Sequence, residues 1–375
     1  MPTELTEQHA LLILNALPNI GPITLNRLLQ ELGGDPRDVL TADRSRLEAV
    51  KGVGPVIADT LLGWARHFDL GRELEKMAVS GATFVTVRDP GYPRLLREIH
   101  DPPIGLYRRG NYAFPDRCVN IVGSRKTTLY GQATARKLAG ELAQCGFCIV
   151  SGLARGIDTA AHEGALAVNG KTAAVVGTGI DIIYPPENLA LYRRVETDGA
   201  VLSEFPFGRR ADRQSFAMRN RIVAGMCEAT IVVESDVDGG AMITARFAGE
   251  QGRLLFAVPG RIDQPTSAGC HQLIRDGATL LTGVDDLMSE LSYLDGLRPA
   301  PIPQKAADAA AGIPPHLTAN EAAVYALFGN GEILSPDAIG AKSGLPSAQI
   351  SATLMMLELK RLIAKRADGT FEARV

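Results

Sequence analysis

Apolar residues change rhythm along this chain. Over residues 118–293 they come in short unbroken runs: "CVNIVG" (118–123), "CIVSG" (148–152), "TAAVVG" (172–177), "AVLSEF" (200–205), "ATIVVE" (229–234), "LLFAVPG" (254–260) and "ATLL" (278–281). Helically spaced segments separate them. Strands apolar on both faces, alternating with helices, predict a mostly parallel sheet covered on both sides, a doubly wound α/β fold. Ligands of such a sheet sit beyond the carboxyl ends of its strands. Just upstream, "ATFVTV" (82–87) reads as a strand, "YPRLLREI" (92–99) as a short helix, and "DPPIGLYRRG" (101–110) as a turn and a strand.

In residues 1–80 the apolar spacing is three and four, which is helical. One unit is echoed: "LPNIGPITLNRLL" (17–29) matches "VKGVGPVIADTLL" (50–62). Each copy has a turn ending in Gly-Pro and then a helix. Gly21 and Gly54 would supply a positive φ in the turn, and Pro22 and Pro55 suit the first helical turn. This is similar to a pair of helix-hairpin-helix (SAM-like) units, whose turn N–H groups contact DNA phosphate in that family. Asn19 replaces the first Gly of the pattern, whereas Gly52-Val53-Gly54 is intact, and few cations flank the turns beyond Arg27 and Lys51. A plain helical packing module is the alternative.

Residues 294–316 are rich in Pro and Ala without apolar periodicity, so they read as a linker. Residues 317–375 read as three helices and two short strands around Asp368-Gly369, a winged-helix pattern. Its third helix, 346–362, has only Lys360 and Arg361 as cations, both at the end, which favours protein contact or packing over reading a duplex. The predicted domains are therefore 1–80, 81–293 and 317–375.

Composition narrows the classes. The chain has 375 residues and net charge −3, so any nucleic-acid site must be local. No run of eighteen apolar residues exists, so no membrane span is expected. The first residues lack a cationic leader region, which makes a reducing cytoplasm the default location. There are five cysteines. Cys145 and Cys148 form a C-x-x-C without a second pair, so buried thiols are expected rather than zinc.

Loops that follow the strands should converge on one edge. In "VGSRKTTLYG" (122–131), Ser124 and Arg125 stand at the crevice, Arg125 is poised for a phosphate, and Thr127 or Thr128 caps the next helix. In "IVSGLARGIDTAAH" (149–162), Gly152 and Gly156 would let backbone approach an anion, with the N–H groups from Ala154 to Asp158 facing the crevice. Asp158 is expected to N-cap the helix, with a catalytic carboxylate as the minor alternative, and His162 is one turn on. "FGRRADRQSFAMRNRIVAG" (207–225) holds Arg209, Arg210, Arg213, Arg219 and Arg221 against a single Asp212. Phe205, Phe207 and Phe216 are interleaved with them, as single-strand binding requires, and Asn220 adds an amide. "DGGAMITARFAGEQG" (238–252) offers a second glycine turn, with Arg246 either in the crevice or in a buried ion pair.

The dinucleotide fingerprint is absent, because "SGLARG" supplies two of three glycines and no acid ends the next strand. A P-loop fails for want of Gly-Lys-Ser/Thr. No cofactor or metal is expected.

Taken together, "GSR" (123–125), "SGLARGIDTAAH" (151–162), "GTGIDIIYPPEN" (177–188), "RNRIVAG" (219–225) and "GGAMITARFA" (239–248), with "YPRLL" upstream, resemble the DNA-processing protein A (Smf) family. The resemblance covers about 82–290. It implies a Rossmann-like domain that binds single-stranded DNA without catalysis, protects incoming strands in natural transformation, loads a RecA-type recombinase and forms homodimers. Carried over, DNA contacts fall on Ser124, Arg125, Gly152, Ala154, Gly156, Phe216, Arg219, Asn220 and Arg221. One departure is Gly239-Gly240-Ala241, where the family commonly has Ser-Gly-Ser, and it removes side-chain hydroxyls from that turn. Two alternatives come from other classes. A nucleotide phosphoribohydrolase would need P-G-G-x-G-T-x-x-E, which "DGGAMIT" and Phe247 do not supply. A protein-docking scaffold would use the arginine strip for an acidic partner.

Overall fold

The computed structural model describes residues 5–110, 117–294, 317–328, 332–365 and 369–373. The chain divides into two compact units, Met1–Ala300 and Pro301–Val375. Apart from Leu294, the expected linker lies outside the described residues.

The first unit begins with helices α1 (Glu7–Ala16), α2 (Pro22–Leu32), α3 (Pro36–Thr41), α4 (Arg44–Ala49), α5 (Pro55–Leu62), α6 (Trp64–His67) and α7 (Leu70–Ser80). The repeated sequence is a repeated structure. Turns α1–α2 and α4–α5 bury Leu17 and Ile20 in one copy, Val50 and Val53 in the other. The positive φ lies two residues before the expected glycines, at Asn19 (64°) and Gly52 (90°). Gly21 and Gly54 are extended N-caps of α2 and α5. Asn tolerates the left-handed region, so the first copy closes without glycine there.

The sheet contains β1 (Thr83–Thr86), β2 (Gly105–Arg109), β3 (Cys118–Val122), β4 (Cys148–Ser151), β5 (Thr172–Val176), β6 (Ala200–Ser203), β7 (Ala229–Val232), β8 (Leu254–Ala257) and β9 (Thr279–Leu280). Between them run α8 (Arg94–Arg97), α9 (Leu129–Gln144), α10 (Ile157–Ala167), α11 (Leu189–Asp198), α12 (Arg213–Gly225), α13 (Gly240–Glu250) and α14 (Pro265–Arg275), and α15 (Val284–Glu290) follows. The order is β1-β2-β6-β5-β4-β3-β7-β8-β9. Strands β3 to β9 are parallel, and β2 runs antiparallel to β1 and β6.

Alternation along the strands builds the two faces. Val119, Ile121 and Ile149 pack under α9, α10 and α15, while Cys118, Val122, Cys148 and Val150 pack under α12, α13 and α14. Cys145 and Cys148 thus belong to opposite faces, and all five cysteines are buried. A third cluster joins α1–α7 to β1, β2, β5 and β6 through Leu14, Phe84, Tyr107, Val176 and Val201.

The second unit contains α16 (Ala319–Ala326), β10 (Ile333–Leu334), α17 (Pro336–Ser343), α18 (Ser347–Leu359), β11 (Ile363–Lys365) and β12 (Phe371–Ala373). Its antiparallel sheet, β10-β12-β11, completes a winged helix with one more short strand than expected. Asp368 of the expected turn is outside the described residues. Lys360 Nζ, at the end of α18, bonds both Glu321 oxygens at 2.7 and 2.8 Å. No helix among the described residues is long and apolar enough to cross a membrane.

Candidate functional site

Strand order reverses at β3, because β4 and β7 flank it and lead in opposite directions. Beyond the carboxyl ends of these strands lies a crevice of about 580 Å³, at the topological switch point. Ser124, Arg125, Lys126, Arg213, Phe216 and Asn220 line it together with Asp236, Asp238, Gly239 and Gly240.

Glu234, just past β7 and buried, shapes the β3 loop. Its carboxylate accepts from the Thr127 hydroxyl (2.5 Å), the Thr128 N–H (2.9 Å) and the Thr128 hydroxyl (2.5 Å). Its carbonyl accepts from the Ser124 N–H at 2.6 Å. Thr128, not Thr127, caps α9, accepting from the Gly131 N–H at 3.0 Å. The loop held this way projects Arg125 into solvent, with its guanidinium 5.1 Å from the Phe216 ring centre. Glu234 escaped sequence reading, although an acid closing an apolar run opposite Thr-Thr is a usable signal.

The β4–α10 turn differs from expectation. Asp158 does not cap α10. Its Oδ2 accepts from the N–H groups of Gly152 (3.1 Å) and Ala154 (3.2 Å), so these two donors are already engaged inside the protein. The N-cap is Gly156, with φ 79°, and a Cβ there would stand 2.3 Å from the Ser124 carbonyl. The missing Gly152 side chain makes room for Arg219, whose Nη1 would be 1.9 Å from a Cβ. Both glycines therefore serve close approach between parts of the protein. Among the described residues Asp158 bonds to backbone N–H groups and not to His162. His162 Nδ1 lies 2.7 Å from the Thr172 hydroxyl, and burial first, then the Arg219 charge, lower its pKa to about 3.

Arg219 forms the crevice floor and is only 4% exposed. Its Nη1 donates to the Val175 carbonyl, and its guanidinium lies 5.9 Å from the Phe216 ring centre. Burial lowers its pKa to about 10, with Asp158 opposing and Arg125 adding to the shift. Burial likewise raises the Asp158 carboxyl, against the pull of Arg219. Arg219 stays cationic at neutral pH, so the floor carries a buried positive charge beside the Asp158 carboxyl.

Arg221 does not reach the crevice. Its guanidinium is buried between Asp101 (2.9 Å) and Glu204 (2.6 Å) on the far side of α12. Helical periodicity explains this: residues 219 and 221 are two apart and point in different directions. Arg246 fits neither expected setting; it is exposed on α13, 3.5 Å from Glu250. Asn220 donates weakly to the Gly240 carbonyl at 3.5 Å, linking α12 to the start of α13. That start is capped by no side chain, and Gly239, Gly240 and Ala241 line the crevice. Among the described residues, no group of three or more His, Cys, Asp and Glu is placed to hold a metal.

A cationic rim, an aromatic ring under a guanidinium and a helix start without a side-chain cap together suit a flexible polyanion carrying flat bases. Comparison with known proteins places the chain in a family. Residues 83–292 match the model of the DNA recombination-mediator protein A family, and residues 306–369 match that of the DprA winged helix domain. Protein Smf of Synechocystis sp. is 37% identical over 294 residues, covering 77% of this chain and 74% of that protein. The X-ray structure of DNA processing protein A from Streptococcus pneumoniae aligns with TM-score 0.65 and 34% identity, covering 77% of this chain and 99% of that one. A Helicobacter pylori DNA processing protein A, described for its single-stranded DNA binding mode, aligns with TM-score 0.51 and 30% identity, covering 56% of this chain and 96% of that one.

Proposed function

The chain belongs to the DNA recombination-mediator protein A family, and from that footing we propose that its crevice binds single-stranded DNA without catalysis, protecting the strand and loading a RecA-type recombinase on it during natural transformation and recombination. The observation that carries the reading is Arg125, exposed on a braced loop and stacked at 5.1 Å on Phe216. A base replaces or joins the guanidinium on that ring, while Arg125, Lys126 and Arg213 meet the backbone. Ser124 and Asn220 line the same crevice. Arg219 supplies charge from beneath, and Gly152, Ala154 and Gly156 shape the turn that holds it. Arg221, held by Asp101 and Glu204 away from the crevice lining, has no part in this path. Asp236 and Asp238, which also line the crevice, repel phosphate, so the backbone keeps to the arginines. The protein works as a homodimer through the Rossmann-like domain, in the cytoplasm.

The test is fluorescence anisotropy of a labelled single strand against an equal-length duplex, from low to high salt. Neutralising about four phosphates gives a log–log slope of roughly −3. Arg125→Ala, an exposed change, should weaken single-strand binding about tenfold and flatten the slope by about 0.7. Equal binding to both forms, untouched by Arg125→Ala, would sink the reading and favour a docking scaffold. Light scattering tests the dimer, and recombinase ATPase on coated single strands tests loading. Release of adenine from AMP would revive the hydrolase alternative.

A further inference from the structure

Beyond Phe216 the aromatic surface continues. Tyr184, in the loop after β5, is 38% exposed, and its ring centre lies 5.4 Å from that of Phe216 at an interplanar angle of 50°. The spacing is that of a direct aromatic contact. Arg155, from the β4–α10 turn, stands beside it: its guanidinium faces both the Tyr184 hydroxyl and the Glu187 carboxylate. Arg155 and Glu187 are each 51% exposed, and solvent screens an ion pair so open until little of its attraction is left. The guanidinium can therefore exchange Glu187 for a phosphate at small cost. The loop is also tied to the arginine strip. Gly179 N–H donates to the Arg209 carbonyl at 2.8 Å, and Gly208 N–H to Asp181 Oδ1 at 2.8 Å. Exposed Arg209 and Arg210 thus continue the surface past Tyr184.

We propose that Tyr184 is a second base-stacking subsite outside the crevice, with Arg155 clamping the adjoining phosphate, so that a single strand leaves Phe216 over Tyr184 toward Arg209. This rests on the single-strand reading above and extends it. Successive bases lie on successive aromatic rings, a sequence-tolerant arrangement. Glu187 acts as the resident counter-ion that the phosphate displaces.

The experiment is a length series of oligothymidylates, from a length that fills only the crevice to one that runs past it, titrated against wild type, Tyr184→Ala, Tyr184→Phe and Arg155→Gln. Wild-type affinity should rise as the oligonucleotide outgrows the crevice. Tyr184→Ala should lose about tenfold on the long strands and nothing on the shortest, the scale of one lost stacked base. Tyr184→Phe should keep wild-type affinity, because the ring face does the stacking. Arg155→Gln should flatten the salt slope by about 0.7 on long strands only. Wild-type affinity in Tyr184→Ala at every length would overturn the subsite while leaving the crevice standing. Equal losses on short and long strands would also overturn it, since they mean a damaged loop. No single-strand binding by wild type at any length would overturn the crevice reading itself, and the subsite with it.

Discussion

Gly152→Ala should be far more damaging than a one-carbon change in a loop usually is, and the cause should be Arg219. The backbone at Gly152 is not left-handed, so alanine is allowed there on local grounds. Yet its Cβ would stand 1.9 Å from Arg219 Nη1, 2.4 Å from Cζ and 2.5 Å from Nη2. Ordinary contact needs about 3.5 Å, so the guanidinium must retreat by roughly 1–2 Å. Retreat breaks the bond to the Val175 carbonyl and draws the charge away from Asp158. A hydrogen bond from a charged donor contributes about 1.5–3 kcal/mol, and overpacking costs about 1–3 kcal/mol. Together they set the loss at about 3–5 kcal/mol. Urea unfolding followed by the fluorescence of Trp64, the chain's only tryptophan, packed against the cluster the helices share with the sheet, would measure it. The control is the same change in an Arg219→Met background, where the obstructing group is gone and Gly152→Ala should cost under about 1 kcal/mol. A coupling below about 0.5 kcal/mol between the two positions would refute the reasoning.

Three further outcomes are expected. Arg221→Met should destabilise the first unit by about 3–5 kcal/mol, by leaving Glu204 and Asp101 without their shared cation, yet leave the single-strand salt slope unchanged; a flatter slope in urea-free binding assays would return Arg221 to the strand path. His162 has a folded pKa of about 3 against an ordinary value of 6.5. Between those values only the unfolded chain takes the proton, so stability is full above pH 6.5 and falls on acidification, by about 2 kcal/mol at pH 5. His162→Gln should remove that share of the slope in urea melts at pH 7 and pH 5, and an unchanged slope would count against it. In the winged helix, the bonds from Lys360 and Thr318 hold the Glu321 carboxyl down at about 2, so the stability it lends is present above about pH 4.5 and lost as pH falls toward 2. Glu321→Gln should flatten that acid transition, read from the amide signals of α18.

The sheet was legible because parallel strands buried on both faces must be apolar throughout, and the runs at 118–123, 148–152, 172–177 and 229–234 became β3, β4, β5 and β7. Their loops were correctly sent to one edge for the same topological reason. What the residue pattern could not carry was the direction in which each polar group turns. "SGLARGID" looks like an anion turn, and whether its N–H groups face a ligand or a carboxylate depends on where Asp158 points. It points inward, to the N–H groups of Gly152 and Ala154. The arginine strip has the same character: five cations in one stretch promise a surface, but Arg219 and Arg221 are each 4% exposed. Net charge is additive along a sequence, whereas burial depends on neighbours brought in from residues 101, 158 and 204.

Those neighbours also give the N-terminal helices a part in the site that their own turns need not play. Glu73 of α7 is buried, and one of its oxygens accepts from the Tyr107 hydroxyl at 2.8 Å and from the Phe207 N–H at 2.9 Å. Asn15 of α1 donates to the Glu204 carbonyl at 2.8 Å. Tyr107 and Phe207 meet edge to face, 5.7 Å apart. The loop after β6, which carries Arg209 and Arg210, is therefore clamped at Glu204 and Phe207 by the helical module. A loop of cations repels itself and spreads when nothing holds it. The clamp fixes its geometry and leaves Arg209 and Arg210 exposed, so the helices shape the cationic surface from within the fold.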